Sequence, residues 1–234
     1  MLCTERSLVK HGSNTLSVRP LRCKRWSCDH CRGRRAKDLW HLAFNGAPDM
    51  FLTLTTAPRE GMTPADAAEE FVVAWRMLRQ YLCRRLDRKS LTFLAVFEAH
   101  ESGWPHLHIL LRSKFIQRKL ILDWWKERTG AIMVDIRRVK NARQRASYVS
   151  KYVAKRPTQF GSCKRYWRSQ DWTPAKKEND APKGEEIAWW EAITVSPLGI
   201  ARAALEDGAR ITWKGDLLVI ERWESRFRSL WGIG

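Results

Sequence analysis

Phe51-Leu-Thr-Leu-Thr-Thr56 alternates apolar and polar positions in the manner of a half-buried strand and stops at Ala57-Pro58. Thr63-Pro64 then opens a helix, with Thr63 as N-cap and Pro64 at the first helical position, and Phe71, Trp75, Leu78 and Leu82 recur at helical spacing to about Leu86. Leu91–His100 and His106–Arg112 read as two further strands joined by a tight turn over Glu101–Pro105. A helix over Gln117–Thr129 is stopped by Gly130, Ile132–Ile136 reads as a fourth strand, and Ala142–Lys155 reads as a helix ending before Pro157. Upstream, residues 1–40 read as irregular and basic, closing in a helix from about Arg32 to Phe44. The order β-α-β-β-α-β-α predicts an α+β domain of ferredoxin-like or RRM-like layout, an antiparallel sheet with helices on one face.

Beyond this domain the pattern weakens. Residues 173–186 are polar with two prolines and read as an exposed linker. Pro197–Asp207 follows as a short helix, and Arg210–Trp213 with Leu217–Ile220 as a hairpin around Lys214-Gly-Asp216. The predicted division is a basic, cysteine-rich segment over 1–45 packed on a central domain over 46–172, then a linker and small α/β extension over 173–234. No internal repeat is present.

Composition narrows the class. The net charge of +18 is uneven: residues 1–165 hold 33 Lys and Arg against 14 Asp and Glu, whereas residues 166–234 hold 10 against 11. A basic domain of that kind points to nucleic acid, whose phosphates release counterions when bound. No apolar run reaches the roughly twenty residues needed to span a bilayer, and no signal-like leader precedes the basic stretch from Arg19, so a soluble cytoplasmic protein without a membrane partner is expected.

Without a secretion signal, six cysteines do not read as a disulfide framework. Cys28-x2-Cys31 has the spacing of a thiolate knuckle, and Cys23 adds a third ligand for a structural zinc ion. The fourth ligand is open among Cys3, His11, His30 and His41. Such a site would pin a basic arm of Arg22, Lys24, Arg25, Arg34 and Arg35 able to grip DNA phosphates.

The sharpest chemistry lies in the central domain. Two histidines one residue apart, His106 and His108, project from one face of a strand. A hairpin turning about Ser102 pairs residues whose numbers sum to roughly 204, so Glu98 faces His106 and Val96 faces His108, within about 5.5 Å across the ladder. Two imidazoles and a carboxylate on one face suit Mg²⁺ or Mn²⁺. Some forty residues on, Tyr148, Lys151, Tyr152 and Lys155 fall at i, i+3, i+4 and i+7, one stripe of an α-helix. A phenol ionises ordinarily near 10, so a tyrosine nucleophile needs a cation or base beside it, which Lys151 and Lys155 could supply. Two tyrosines would permit two successive transfers at one site.

The Thr-Leu-Thr-Thr strand, the Glu98…His106-Leu-His108 set and Tyr148-Val-Ser-Lys-Tyr152-Val-Ala-Lys155 occur in an order that resembles motifs one to three of the HUH endonucleases that initiate rolling-circle replication. The cysteine cluster with Arg34-Arg35, and Lys164-Arg-Tyr-Trp-Arg-Ser169, are similar to replication initiators of small single-stranded DNA phages and related plasmids, and the likeness covers roughly residues 20–172. The resemblance implies a metal-dependent nick in single-stranded or hairpin origin DNA, leaving a 5′-phosphotyrosine and a free 3′-OH. It makes His106 and His108 metal ligands, Glu98 the third, and Tyr148 and Tyr152 nucleophiles. Arg143 and Arg145, in the tyrosine helix, join the expected DNA contacts. The chain lacks a Gly-x4-Gly-Lys-Ser/Thr phosphate loop, so a host helicase and polymerase would complete the process. A single-strand transposase would carry the same active-site residues. A non-catalytic, zinc-containing nucleic-acid-binding protein of RRM type would instead expose aromatic residues where Glu98, His106 and His108 stand.

Overall fold

The computed structural model describes residues 3, 5–12, 15–153, 157–172 and 190–221, without the side chains of residues 152 and 153. In chain order the elements are β1 (Ser7–His11), β2 (Thr15–Pro20), α1 (Asp29–Asn45), β3 (Met50–Leu54), α2 (Pro64–Arg85), β4 (Thr92–Ala99), β5 (Pro105–Arg112), α3 (Arg118–Thr129), β6 (Val134–Arg138), α4 (Ala142–Tyr148), a π-helical turn over Val149–Val153, β7 (Tyr166–Arg168), β8 (Glu191–Ile193), α5 (Pro197–Glu206), β9 (Arg210–Lys214) and β10 (Leu217–Glu221). They form an α+β protein with two antiparallel sheets, divided into two compact units: Met1–Arg35 with Asn179–Gly234, and Ala36–Glu178.

The sheet of the second unit has the order β6-β3-β5-β4-β7. Its first four strands reproduce the ferredoxin-like arrangement expected from the element order. Thr63 caps α2: its hydroxyl accepts from the Asp66 backbone while the Asp66 carboxylate accepts from the Thr63 backbone. α3 ends at Gly130, whose φ of +75° suits a residue without Cβ. Alternation then divides the sheet into two faces. Leu52 and Leu54 of β3, Phe93, Ala95 and Phe97 of β4, Leu107, Ile109 and Leu111 of β5 and Val134 of β6 join Phe71, Trp75 and Leu78 of α2 and Ile121 and Trp125 of α3 in one buried core. The intervening residues turn to the opposite face, and Tyr148 of α4 stacks there on Phe51. The helices are therefore not confined to one face, because α2 and α3 cover the first and the tyrosine helix meets the second.

The first unit departs most from expectation. Residues 1–40 are not irregular: β1 and β2 pair antiparallel with Val9 opposite Val18. β2 pairs in turn with β10, Val18 opposite Leu218, and β1 with β8, Leu8 opposite Ala192. The two ends of the chain thus build one sheet, β8-β1-β2-β10-β9, instead of a separate amino-terminal segment and carboxy-terminal extension. Strands of three to six residues carry little periodic signal of their own, and their partners lie far away in sequence. Val9, Leu16, Val18, Ile200, Ala204, Leu218 and Ile220 fill the core between this sheet and α5. The linker expected over 173–186 lies outside the described residues.

Smaller shifts have local causes. α1 begins at Asp29, three residues before the expected start. β6 begins two residues late, leaving Ile132 and Met133 more than 60% exposed. β7 adds an edge strand to β4, with Trp167 opposite Ala95. Behind β7, the fully buried Trp172 donates from Nε1 to the Leu42 carbonyl at 3.1 Å and crosses Gly46 so closely that a Cβ there would lie 2.2 Å from its ring. Gly46→Ala should therefore cost about 1–3 kcal/mol by overpacking. Trp172→Ala should cost about 3–5 kcal/mol by leaving a cavity. Chemical denaturation of the two variants checks both, and a neutral Gly46→Ala would contradict this packing.

Candidate functional site

The β4–β5 hairpin sets the site. His100 N–H donates to the Trp104 carbonyl at 2.9 Å and Gly103 N–H to that of His100 at 2.8 Å, while Gly103 takes φ of +83°. This turn pairs Glu98 with His106 and Val96 with His108, the register expected from a turn about Ser102. Glu98, His106 and His108 all belong to the face opposite the α2–α3 core, together with Phe51 and Thr53 of β3 and Asp135 and Arg137 of β6. These residues, with His100, Glu101 and Tyr148, line a cleft of about 480 Å³.

His108 is 3% exposed and held from both ring nitrogens: Nδ1 lies 3.1 Å from the Thr53 hydroxyl and Nε2 lies 2.5 Å from a Glu98 carboxylate oxygen. Its ring also stacks on Phe51, with centroids 5.5 Å apart. His106 stands further off, its ring centre 6.4 Å from that of His108 and 4.7 Å from that of His100. Burial pushes the His106 pKa down to about 4, His100 and His108 push the same way, and Glu98 opposes them. An imidazole held neutral is one that can ligate a cation. Glu98, His106 and His108 thus share a face and a cleft, but their ligand atoms do not close to within 4.8 Å of one another as the four cysteines do.

Tyr148 approaches from α4, whose first turn is capped by Asn141: Oδ1 accepts from Gln144 N–H at 2.9 Å. The Tyr148 ring lies on Phe51, centroids 5.1 Å apart and 6° from parallel, so one phenylalanine touches both the tyrosine and His108. α1 braces this helix, since Trp40 Nε1 donates to the Ser150 hydroxyl at 3.0 Å and Arg145 lies over the Phe44 ring. The single stripe of Tyr148, Lys151, Tyr152 and Lys155 needs correction. Tyr148 is the last α-helical residue, and Val149–Val153 is π-helical. A turn closed by i→i+5 bonds winds less per residue, so residues four apart no longer stack as on an α-helix. Lys151 is exposed on this turn. The side chain of Tyr152, and Lys155 altogether, lie outside the described residues.

In the first unit the four sulfurs of Cys3, Cys23, Cys28 and Cys31 lie within 4.8 Å of one another, the one such group among the described residues. Cys28 and Cys31 flank the first turn of α1, where Cys31 N–H donates to the Cys28 carbonyl at 3.1 Å. Cys3 Sγ is 3.2 Å from Cys31 Sγ and accepts from Cys23 N–H, which selects it over His11, His30 and His41 as the fourth sulfur or nitrogen of the set. Burial pushes the Cys31 thiol up, but hydrogen bonds from Cys3, the Lys24 backbone, Cys23 and Cys28 outweigh it and bring the pKa to about 7. Four thiolate donors could hold zinc, whose tetrahedral preference suits such a set.

The basic arm beside the cysteines is more structural than expected. Arg22 and Arg34 both pair with Asp216 of the β9–β10 turn, at 3.2 and 2.5 Å, and Arg22 also donates to the His30 carbonyl. Burial raises the Asp216 carboxyl, yet these two arginines hold it below the usual carboxylate range. Arg35 donates to the Lys24 carbonyl and lies over the Trp26 ring. Lys24 and Arg25 are exposed, as is Arg143 in the second unit. Phe51, Thr53, His100, Asp135 and Arg137 were absent from the expected site residues. Strand alternation around Thr53 and Asp135 carries the signal that would have found the β3 and β6 members.

Residues 49–157 match the model of a replication-associated protein family, that of ORF2 and its relatives. That stretch runs from β3 past the tyrosine turn and excludes the cysteine cluster. Over 60 residues the chain is also 33% identical to an uncharacterised 36 kDa protein of Halobacterium salinarum, covering 25% of this chain and 19% of that protein. The family match supports a replication-associated protein that acts on DNA. Among the described residues no helix is long and apolar enough to cross a membrane.

Two measurements test this geometry. Cys3→Ser should lower the zinc content of purified protein well below that of His30→Ala or His41→Ala, read by metal analysis; equal content in all three would remove Cys3 from the set. For His106, the unfolded imidazole takes a proton near 6.5 while the folded one resists until about 4. The stability this contributes is present above pH 6.5 and lost as pH falls toward 4. His106→Gln should therefore flatten the fall of Tm between pH 6.5 and 4 in chelator-treated protein, and an unchanged slope would contradict the burial assigned to His106.

Proposed function

We propose that this chain nicks and rejoins single-stranded or hairpin DNA at a replication origin, by the HUH-type chemistry its motifs resemble. What carries the reading is that one cleft is lined both by Tyr148 and by Glu98, His106 and His108. The replication-associated match spans all four residues. In this reading Glu98, His106 and His108 hold Mg²⁺ or Mn²⁺, which when bound polarises the scissile phosphate and neutralises charge developing on it. Their donor chemistry fits: a carboxylate, a neutral imidazole and a second imidazole fixed at Nδ1 by Thr53.

The chain's own groups then do the following. Phe51 holds the Tyr148 ring flat against the sheet, restricting the phenol to the mouth of the cleft. The phenol oxygen attacks phosphorus, the bond to the 3′-oxygen breaks, and a 5′-phosphotyrosine and a free 3′-OH result. Because the ester conserves the energy of the broken bond, a second transfer can reseal DNA without a nucleotide cofactor. Tyr152 is the candidate for that second transfer, with Lys151 and Lys155 supplying positive charge. Arg143 and Arg145 would meet the DNA backbone, as would the cationic side chains beside a structural zinc on Cys3, Cys23, Cys28 and Cys31. A host helicase and polymerase would extend the 3′ end in the cytoplasm.

Incubation with a randomised single-stranded DNA pool and Mn²⁺, followed by a denaturing gel, should give a protein–DNA adduct. Removing the divalent ion should abolish it. Tyr148→Phe should reduce first-turnover adduct by at least about 10³-fold, as loss of a nucleophile does elsewhere. A wild-type protein that neither cleaves nor attaches to any member of the pool would contradict the reading.

A further inference from the structure

β6 lies at the edge of the sheet, and its residues Asp135 and Arg137 both turn to the cleft face. Arg137 stands directly across the ladder from Phe51, the residue on which the Tyr148 ring rests. Its Nε donates to an Asp135 carboxylate oxygen at 2.8 Å, and its guanidinium also hydrogen-bonds the Tyr148 side chain. Both members of the Asp135–Arg137 pair are about half exposed, so the pair by itself adds little stability. The third partner is what sets it apart from an ordinary surface ion pair. A guanidinium offers five N–H donors in a rigid fork: one is taken by Asp135, and others can reach a phenol oxygen and a phosphate together.

We infer that Arg137, oriented by Asp135, is a catalytic residue of the tyrosine transfer, directing the Tyr148 oxygen before attack and holding the phosphoryl oxygens as the ester forms. This rests on the reading of Tyr148 as the nucleophile. In the step, the phenol oxygen–phosphorus bond forms as the phosphorus–O3′ bond breaks. The phenol gives its proton to solvent, the departing 3′-oxygen takes one from solvent, and the phosphoryl group carries one negative charge before and after. Between those states extra charge gathers on its non-bridging oxygens, where a fixed cation is worth most. Arg137 exchanges no proton; Asp135, with Tyr148 contributing, raises its pKa further above the ordinary arginine range. The lysines of the tyrosine turn, by contrast, follow Tyr148 in the chain and approach from the helix, so Arg137 supplies charge from the sheet side.

The substrate for the test is a DNA oligonucleotide recovered from the wild-type adduct. Single-turnover adduct rates are measured with Mn²⁺ for wild type, Arg137→Gln, Arg137→Lys and Asp135→Asn, and dissociation constants for the same DNA are measured in the Tyr148→Phe background. Arg137→Gln should slow the transfer by about 10²-fold, in the range for loss of one transition-state donor, while DNA affinity changes by less than about threefold. Arg137→Lys should recover part of the rate, since it restores a point charge without the fork. Asp135→Asn should show a smaller loss. Because β6 is an exposed edge strand, unchanged Tm values are expected throughout. A wild type that forms the Tyr148 adduct while Arg137→Gln matches its rate overturns the role of Arg137 alone. A loss of rate matched by an equal loss of affinity also overturns it, assigning Arg137 to DNA binding. A wild type that forms no adduct overturns the tyrosine reading and this inference with it.

Discussion

The antiparallel ladder between β4 and β5 is the constraint on which the cleft depends. Side chains alternate strictly along a strand, so slipping this pairing by one residue would send Glu98, His106 and His108 into the α2–α3 core and bring Phe97, Leu107 and Ile109 to solvent. The apolar set therefore protects the polar one: Phe97, Leu107 and Ile109 are fully buried, and their burial enforces the opposite orientation of the residues between them. Gly103 closes the turn in a backbone region that other residues enter at a cost, and the register follows from that turn. Everything chemical on the face is referred to this ladder. β3 adds Thr53 behind His108 and Phe51 beneath Tyr148, and β6 adds Asp135 and Arg137 one strand further out.

How much of this was legible follows from range in sequence. The β4–β5 pairing spans a few residues and one turn, so arithmetic on the turn yields Glu98 opposite His106 directly. The cap at Thr63, the stop at Gly130 and the apolar stripe of α2 are equally local, and all stand where they were expected. β1 and β2 escaped notice because their partners, β8 and β10, lie at the other end of the chain. The roles of Thr53, Asp135 and Arg137 escaped for a related reason. Each depends on a neighbouring strand or helix, which alternation alone does not identify. The π-helical turn after Tyr148 has no simple sequence mark, and an α-helical stripe was the natural reading of Tyr148, Lys151 and Tyr152. Cys3 was one of four open choices, separated from its partners by a pair of strands.

The distribution of charge also changes meaning once partners are known. A basic arm read from sequence supplies several cations, yet Arg22 and Arg34 are engaged by Asp216 and Arg35 by Lys24 and Trp26. Those arginines hold the surroundings of the cysteine cluster together, and the exposed Lys24 and Arg25 are what the arm presents outward. In the other unit the cations lie around the tyrosine: Arg137 beside its ring, with Arg143, Arg145 and Lys151 on the helix that carries it. The family match covers this second group and stops short of the first, which agrees with a cleft that carries the chemistry and a cysteine cluster that supports structure.

The most direct measurement is the site of covalent attachment. Trypsin cuts after Arg145 and Lys151, so the two tyrosines fall on separate peptides, Ala146–Lys151 and Tyr152–Lys155. After reaction with single-stranded DNA and nuclease trimming, tandem mass spectrometry should find a nucleotide on Ala146–Lys151, carried by Tyr148. DNA that has been cut while neither peptide bears a nucleotide, or an adduct confined to Tyr152–Lys155, would contradict the account.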